Sequence, residues 1–269
     1  MIVPLRLYKY EAVTLQTLLN LKGQVIYFGS PLAFNDPYDC ALTPNFKDLN
    51  DEAVEELRGL YLKSKNLTAA ARRELTASSI EKLKDNFTRA AISALTSNID
   101  NFLKNRGVAC FSEKNDDLLM WSHYGGKYRG ICLEFNTQLP PFEKVKQVQY
   151  VETLPQLDVA EILLEAGTFD HIRDLYCTKS KSWSYESEWR AIHQVAGTEY
   201  IYPTQALTAV YFGPDIDKKS LEIVCLILKG QNESVRLFQG MRSTSKFRVE
   251  FNEFNYVSYV EAKKFELLD

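Results

Sequence analysis

Between two strand-like segments, Gln24–Phe28 and Gly107–Ser112, lies a block of about 60 residues of a different character. Asp48–Lys65 and Ser78–Asn105 are charged, carry Ala and Leu, and lack proline. Ile80, Leu83, Phe87, Ala91, Leu95 and Phe102 fall mostly three or four residues apart, or a multiple of that. Such spacing predicts one apolar face of a long helix, which Gly107 then ends. A helical block of this size between strands breaks any regular βαβ alternation. The class expected is therefore α+β: one domain over residues 1–269 with a central, largely antiparallel sheet, flanking helices and a helical insert at 46–106.

The rest of the chain supplies the sheet. Leu5–Tyr10 and Gly130–Asn136 alternate or run apolar as strands do, and Glu188–Val195, Leu207–Gly213, Val235–Phe238 and Phe247–Phe251 follow. Helices are expected at Gln156–Tyr176 and Asp217–Leu228. Gly29-Ser30-Pro31 and Asn35-Asp36-Pro37 predict an extended or turned connection after the second strand. No period of 20–50 residues repeats, which excludes a solenoid or propeller.

Charge narrows the partners. Thirty-two Lys+Arg against thirty-five Asp+Glu give a net charge of −3, so the charge balance does not point to nucleic acid or an anionic membrane. Met1–Arg6 has no apolar core of signal-peptide length, and no apolar run is long enough to span a bilayer. The five cysteines (40, 110, 132, 177 and 225) form no CxxC pair, and several sit in apolar runs. Reduced, buried thiols in a cytoplasmic protein without a membrane partner are expected, with Cys110, Cys132 and Cys225 the clearest cases.

Common catalytic signatures do not occur: no Walker A loop, no GxGxxG after a strand, no HExxH and no GxSxG. His123, His171 and His193 lie far apart, so no metal site is assigned. Three dense segments stand out instead. They are Tyr27-Phe28-Gly29-Ser30-Pro31 continuing to Phe34–Asp39, Cys110–Glu113 continuing to Met120–Tyr124, and Lys179–Arg190. Each mixes aromatics with Ser, Asp, Glu, His or Lys at a strand end, where a rigid scaffold presents its chemistry.

These blocks carry a resemblance. Leu7-Tyr8-Lys9-Tyr10, Phe34-Asn35-Asp36-Pro37-Tyr38-Asp39, Cys110-Phe111-Ser112-Glu113, Leu119-Met120-Trp121-Ser122-His123-Tyr124, Trp183–Arg190 and Val210-Tyr211-Phe212-Gly213-Pro214 occur in the order seen in the domain-of-unknown-function family numbered 2971. The chain resembles that family over nearly its whole length. The resemblance implies a bacterial, intracellular protein and brings no reaction with it.

Chemistry is suggested by Glu186-x-Glu188. At the entry of a strand the two carboxylates are expected on one face, where mutual repulsion favours a raised pKa; Lys181 and Arg190 are the residues that would instead neutralise them as a salt-bridge cluster. An ExE pair on a strand, after an Arg-bearing and a Ser-bearing strand, is similar to the ADP-ribosyltransferase layout. That resemblance implies NAD as substrate and transfer of ADP-ribose to a macromolecular acceptor. It makes Glu188 the catalytic carboxylate and Glu186 the residue that orients the acceptor. Ser30 or Ser112 would position the ribose, Arg6 or Lys9 would hold the phosphates, and Tyr27 or Tyr124 would stack on nicotinamide. The chain departs from that layout in lacking a Ser-Thr-Ser triplet and in its large insert. Trp121, His123 and Tyr124, just before Gly125-Gly126, are expected to contact the ligand, with His123 a general-base candidate. A toxin or defence role would follow from such an activity. The alternatives are a metal-dependent hydrolase using Asp36, Asp39, Glu186 and Glu188, and a nucleotide- or protein-binding module without turnover.

Overall fold

The computed structural model describes residues 2–40, 45–164 and 174–264. In chain order the strands are β1 (Arg6–Glu11), β2 (Val25–Phe28), β3 (Asn45–Lys47), β4 (Gly107–Ser112), β5 (Ile131–Asn136), β6 (Lys146–Gln147), β7 (Gln149–Val151), β8 (Gln156–Asp158), β9 (Thr178–Ser180), β10 (Glu188–His193), β11 (Thr198–Ile201), β12 (Leu207–Phe212), β13 (Arg236–Arg242) and β14 (Val249–Phe254). The helices used below are α1 (Leu15–Gly23), α2 (Asp51–Lys63), α3 (Ala69–Ala77), α4 (Ile80–Asn105), α5 (Leu118–His123) and α6 (Val159–Leu164). The class is α+β.

Two compact units are formed. The first takes Met1–Ser30, Arg106–Val148 and Ser182–Asp269; the second takes Pro31–Asn105 and Gln149–Lys181. An eight-stranded sheet in the order β14–β13–β12–β5–β1–β4–β10–β6 forms the body of the first unit. Its pairings are antiparallel apart from β12 with β13. Side chains alternate between the faces of a strand, and the sequence uses that alternation to make two unlike faces. Leu7, Phe111, Leu133, Phe135, Trp189 and Ala191 share one apolar core with Leu21 of α1 and with Val224, Cys225 and Leu228 of the helix Lys218–Gln231. Tyr10, Cys132, Ala209 and Tyr211 face the other way and cluster with Met120 and Trp121 of α5.

The second unit is mainly helical. Asn50 caps α2 by accepting the Ala53 N–H at 2.8 Å, and Thr68 caps α3 through the Ala71 N–H at 3.2 Å. Leu83, Phe87, Ala91, Leu95 and Phe102 of α4 are buried, which is the stripe its spacing predicts. The first three of them pack with Val54 and Leu57 of α2 and Val159 of α6. Thus 149–181 joins residues of the expected insert in one unit.

The strand and helix expectations hold within a few residues, with one clear correction. Gln156–Asp158 is not helical; it is β8, paired in parallel with β3, and the helix starts at Val159. Extended pairing along β3 outweighs the helical pattern there. Residues 165–173, including His171 and much of that expected helix, lie outside the described residues. Helix α3 is separate from its neighbours because Thr68 caps its start and Ser78, in extended conformation, ends it. Cys132 and Cys225 are buried as expected, whereas Cys110 is half-buried.

Candidate functional site

On the second face of the sheet, register lines up residues of six adjacent strands. Arg236 of β13 stands opposite Ala209 of β12, Ala209 opposite Glu134 of β5, and Glu134 opposite Tyr8 of β1. Tyr8 is opposite Ser112 of β4, and Ser112 opposite Glu188 of β10. Arg6, two residues before Tyr8, lies on the same face by alternation. The row thus has an acidic residue at Glu134 and another at Glu188, about 14 Å apart at three strand spacings.

Glu134 is fully buried inside an apolar strand. Tyr211 donates its hydroxyl hydrogen to Oε2 at 2.7 Å, and Thr208 donates to Oε1 at 2.7 Å. Arg6 Nε and Arg236 Nη2 stand 3.6 and 3.7 Å from the same Oε1. This satisfies a charge that burial would otherwise penalise heavily. Burial, then the Glu134 charge and hydrogen bond, pushes the Tyr8 phenol up to about 12. Burial and the hydrogen bond to Glu134 raise Tyr211 as well. Both phenols therefore remain protonated donors near neutral pH.

The other end of the row is built around Glu188, Arg190 and the turn before them. Arg190 donates to both Glu188 oxygens, Nε at 2.7 Å and Nη2 at 2.9 Å, and both side chains are buried. Two parallel charge-assisted bonds fix the carboxylate plane. Cys110, paired with Arg190 in the sheet, has its thiol pKa pushed well up by burial and by the Glu188 charge; it stays a thiol, not a ready nucleophile. Ser112 Oγ donates to the Glu186 carbonyl at 2.6 Å and accepts the Lys114 N–H at 3.1 Å. Tyr124 donates to Glu186 Oε1 at 2.6 Å.

The expected strand geometry of Glu186-x-Glu188 is corrected here. Strand β10 begins at Glu188; Glu186 belongs to a 3-10 turn, Lys181–Glu186. Ser187 between them has φ +44°, a left-handed conformation that costs a non-glycine residue roughly 1–2 kcal/mol. Strand alternation therefore does not relate the two carboxylates. Each is held by its own partner, Glu186 by Tyr124 and Glu188 by Arg190. The residue expected to share the neutralisation, Lys181, pairs with Glu152 in the second unit.

The remaining expected residues divide. Arg6, Ser112 and Glu188 share one face of the adjacent strands β1, β4 and β10. Tyr124 joins them through Glu186, and His123, exposed, has its ring 6.2 Å from those of Tyr124 and Tyr185. Lys9 faces the other way: its ammonium lies over the Phe111 ring and 3.1 Å from Glu11. Burial would lower its pKa, but Glu11 and then Cys110 and Glu188 outweigh it and raise it. Lys9 lines a separate depression with Glu11, Thr17, Asn20 and Tyr27. Ser30 follows Gly29, which bridges to Val108, about 13 Å along β4 from Ser112. Trp121 is fully buried, donates its indole N–H to the Asn115 carbonyl at 2.7 Å, and meets the Tyr10 ring edge-on at 5.2 Å. It is a core residue that positions α5.

Two sequence blocks are explained by one close crossing. Gly213 donates its N–H to the Gly130 carbonyl at 2.9 Å, and Asp215 donates to the Tyr128 carbonyl at 3.0 Å. A Cβ at Gly213 would sit 2.2 Å from the Tyr128 carbonyl oxygen, so this position admits only glycine. The Trp121–Tyr124 block and the Val210–Pro214 block thus hold each other beside the site. Glu134, Thr208, Tyr211 and Arg236 were missed in the sequence. A lone acid inside Ile131-Cys132-Leu133-Glu134-Phe135 was the available signal, since a charge in a buried strand requires partners.

Asp36 accepts the Tyr38 N–H at 2.9 Å, and Asp39 pairs with Lys179 at 3.3 Å, both within the second unit. Among the described residues, no group of three or more His, Cys, Asp or Glu is arranged to hold a metal ion. No helix among them is long and apolar enough to cross a membrane. No curated protein matches the chain, and no solved structure does. A family model does match, over residues 120–191, which run from α5 into β10 and contain Tyr124, Glu134, Glu186 and Glu188. Through that segment the chain carries the sequence of the family described as protein of unknown function, DUF2971.

Proposed function

We propose that the polar face of the sheet binds NAD or a related nucleotide and transfers ADP-ribose to a macromolecular acceptor. The observation that carries this reading is the register of β1, β4 and β10, with Arg6, Ser112 and Glu188 on one face of three adjacent strands. In such a transfer the bond between the ribose C1′ and nicotinamide breaks, and nicotinamide leaves with the electron pair. A nucleophile of the acceptor then forms the new bond to C1′ and gives up its proton. Positive charge develops on the ribose in between, and a fixed carboxylate is the group that stabilises it. Arg190 keeps Glu188 oriented for that role. Ser112 ties the Glu186 turn to β4 and so sets the approach to Glu188. Tyr124 offers an aromatic face beside Glu186.

The test is NAD consumption by the purified chain, with and without EDTA, and growth on expression. Turnover that persists in EDTA supports the transfer reading. Turnover that requires a divalent cation overturns it in favour of a metal-dependent hydrolase. Saturable nucleotide binding without turnover leaves a binding module.

A further inference from the structure

We infer that Arg236 and Arg6 form a two-guanidinium clamp for the diphosphate of a nucleotide, held in place by Glu134. This inference rests on the reading that the second sheet face takes a nucleotide, and it adds a residue, Arg236, from the opposite end of the row. The geometry supports it in three ways. First, both guanidinium groups approach one oxygen of one carboxylate, at 3.6 and 3.7 Å, so they converge on it from opposite sides of β5, one from β1 and one from β13. Among the described residues, neither arginine pairs with an acid other than Glu134.

Second, the burial is asymmetric. The Glu134 side chain is 0% exposed, while those of Arg6 and Arg236 are 58% and 45% exposed. The carboxylate is sealed off while both arginine side chains keep about half their surface in solvent. Two positive charges against one negative charge leave a local excess of one. Guanidinium forks suit paired phosphate oxygens. Separations of 3.6–3.7 Å to Glu134 are loose for charge-assisted hydrogen bonds, so a phosphate can compete for the arginines without stripping the buried carboxylate of Tyr211 and Thr208.

Third, an aromatic surface adjoins the clamp. The Arg236 guanidinium lies 5.2 Å from the centroid of the Phe238 ring, and Phe238 stacks on Tyr211 at 4.7 Å. A nucleobase gains from such a surface, which a bare anion cannot use. The ligand class is therefore a nucleoside diphosphate or a dinucleotide containing one.

The experiment is calorimetric titration of the full chain with ADP, ADP-ribose, adenosine and inorganic pyrophosphate. ADP and ADP-ribose are expected to bind more tightly than adenosine or pyrophosphate. Arg236→Gln is expected to weaken both by about 10- to 100-fold, the size of one or two hydrogen bonds to a charged group, with adenosine unaffected. In this variant Glu134 keeps Tyr211, Thr208 and Arg6 as partners, and an unchanged urea midpoint checks that it is folded before titration; Lys218→Gln, on the opposite side of the sheet, controls for net charge and should bind like the wild type. Pyrophosphate binding as tightly as ADP would overturn the nucleotide assignment. Wild-type affinity in Arg236→Gln, or no binding of ADP by the wild type, would overturn the clamp. NAD consumption separates this inference from the transfer reading. Arg236-dependent binding without turnover sinks transfer and keeps the clamp, and turnover with Arg236-independent binding does the reverse.

Discussion

The two faces of the central sheet come from the same strands, yet they follow different rules. The first face packs Leu7, Phe111, Leu133, Phe135 and Trp189 against two helices. Its stability is additive burial, about 25 cal/mol per Å² of apolar surface, and a neighbouring residue of similar volume can replace most of its members. The second face carries Glu134, Ser112, Glu188 and Arg190, all buried, among aromatic rings. There each polar group depends on specific partners, and removing one leaves a donor or charge less well satisfied. One face tolerates variation in identity; the other tolerates almost none.

The largest expected effect breaks the comparison at Glu188. Glu188→Gln should reduce NAD consumption by about 10²–10³-fold and, by removing the charge that two Arg190 bonds meet, destabilise by about 3–5 kcal/mol. Replacing both, Glu188→Leu with Arg190→Met, should restore much of the stability, because a buried pair exchanged for apolar residues of similar volume is often neutral, while activity stays lost. Recovery of turnover in the double variant would remove the carboxylate from the mechanism.

On the apolar face, Phe135→Ala should also destabilise by about 3–5 kcal/mol in urea melts, yet leave nucleotide affinity unchanged below the unfolding transition. A loss of affinity as large as the loss of stability would show that the faces are not independent. Smaller again is Tyr211→Phe, which deletes one donor to Glu134. A cost of about 1–3 kcal/mol is expected for the under-satisfied carboxylate; no change in the urea midpoint would mean that Arg6 and Arg236 already suffice.

The smallest effect is in alkali. Tyr8 is protonated in both states below pH 10, and its folded pKa is raised to about 12. Between those values the unfolded chain loses the proton first, so the folded state binds more protons and stability falls as pH rises through the window. Comparing the wild type with Tyr8→Phe between pH 9 and 12 isolates that part. Parallel curves for the two proteins would contradict the burial of the Tyr8 phenol against Glu134.

Legibility in the sequence followed the range of the interaction. The α4 stripe and the alternation of β4 and β5 were readable because they are local periodicities, set by 3.6 residues per turn and by two per strand repeat. Asp117 and Asp217 cap their helices through N–H groups two or three residues ahead, which is equally local. The Glu186-x-Glu188 geometry was misread because one residue, Ser187, leaves the strand conformation, and period-two reasoning fails across a single left-handed step. Trp121 looked like a ligand-contact residue because it adjoins Ser122, His123 and Tyr124; its burial and its packing against Tyr10 and Phe251 place it in the core.

Composition and periodicity alone determined an α+β chain, the strands of its central sheet other than β6 to within about four residues, and the blocks in which the polar residues are concentrated. The partners of that chemistry were decided by strand order. Glu134 meets Arg236 at a sequence separation of about 100 residues because β12 lies between β5 and β13, and Ser112 meets Glu188 because β4 pairs with β10. Local free energies fix φ, ψ and the face of each side chain. Which strands become neighbours depends on burying the whole apolar face at once, and that choice exists only in the folded chain.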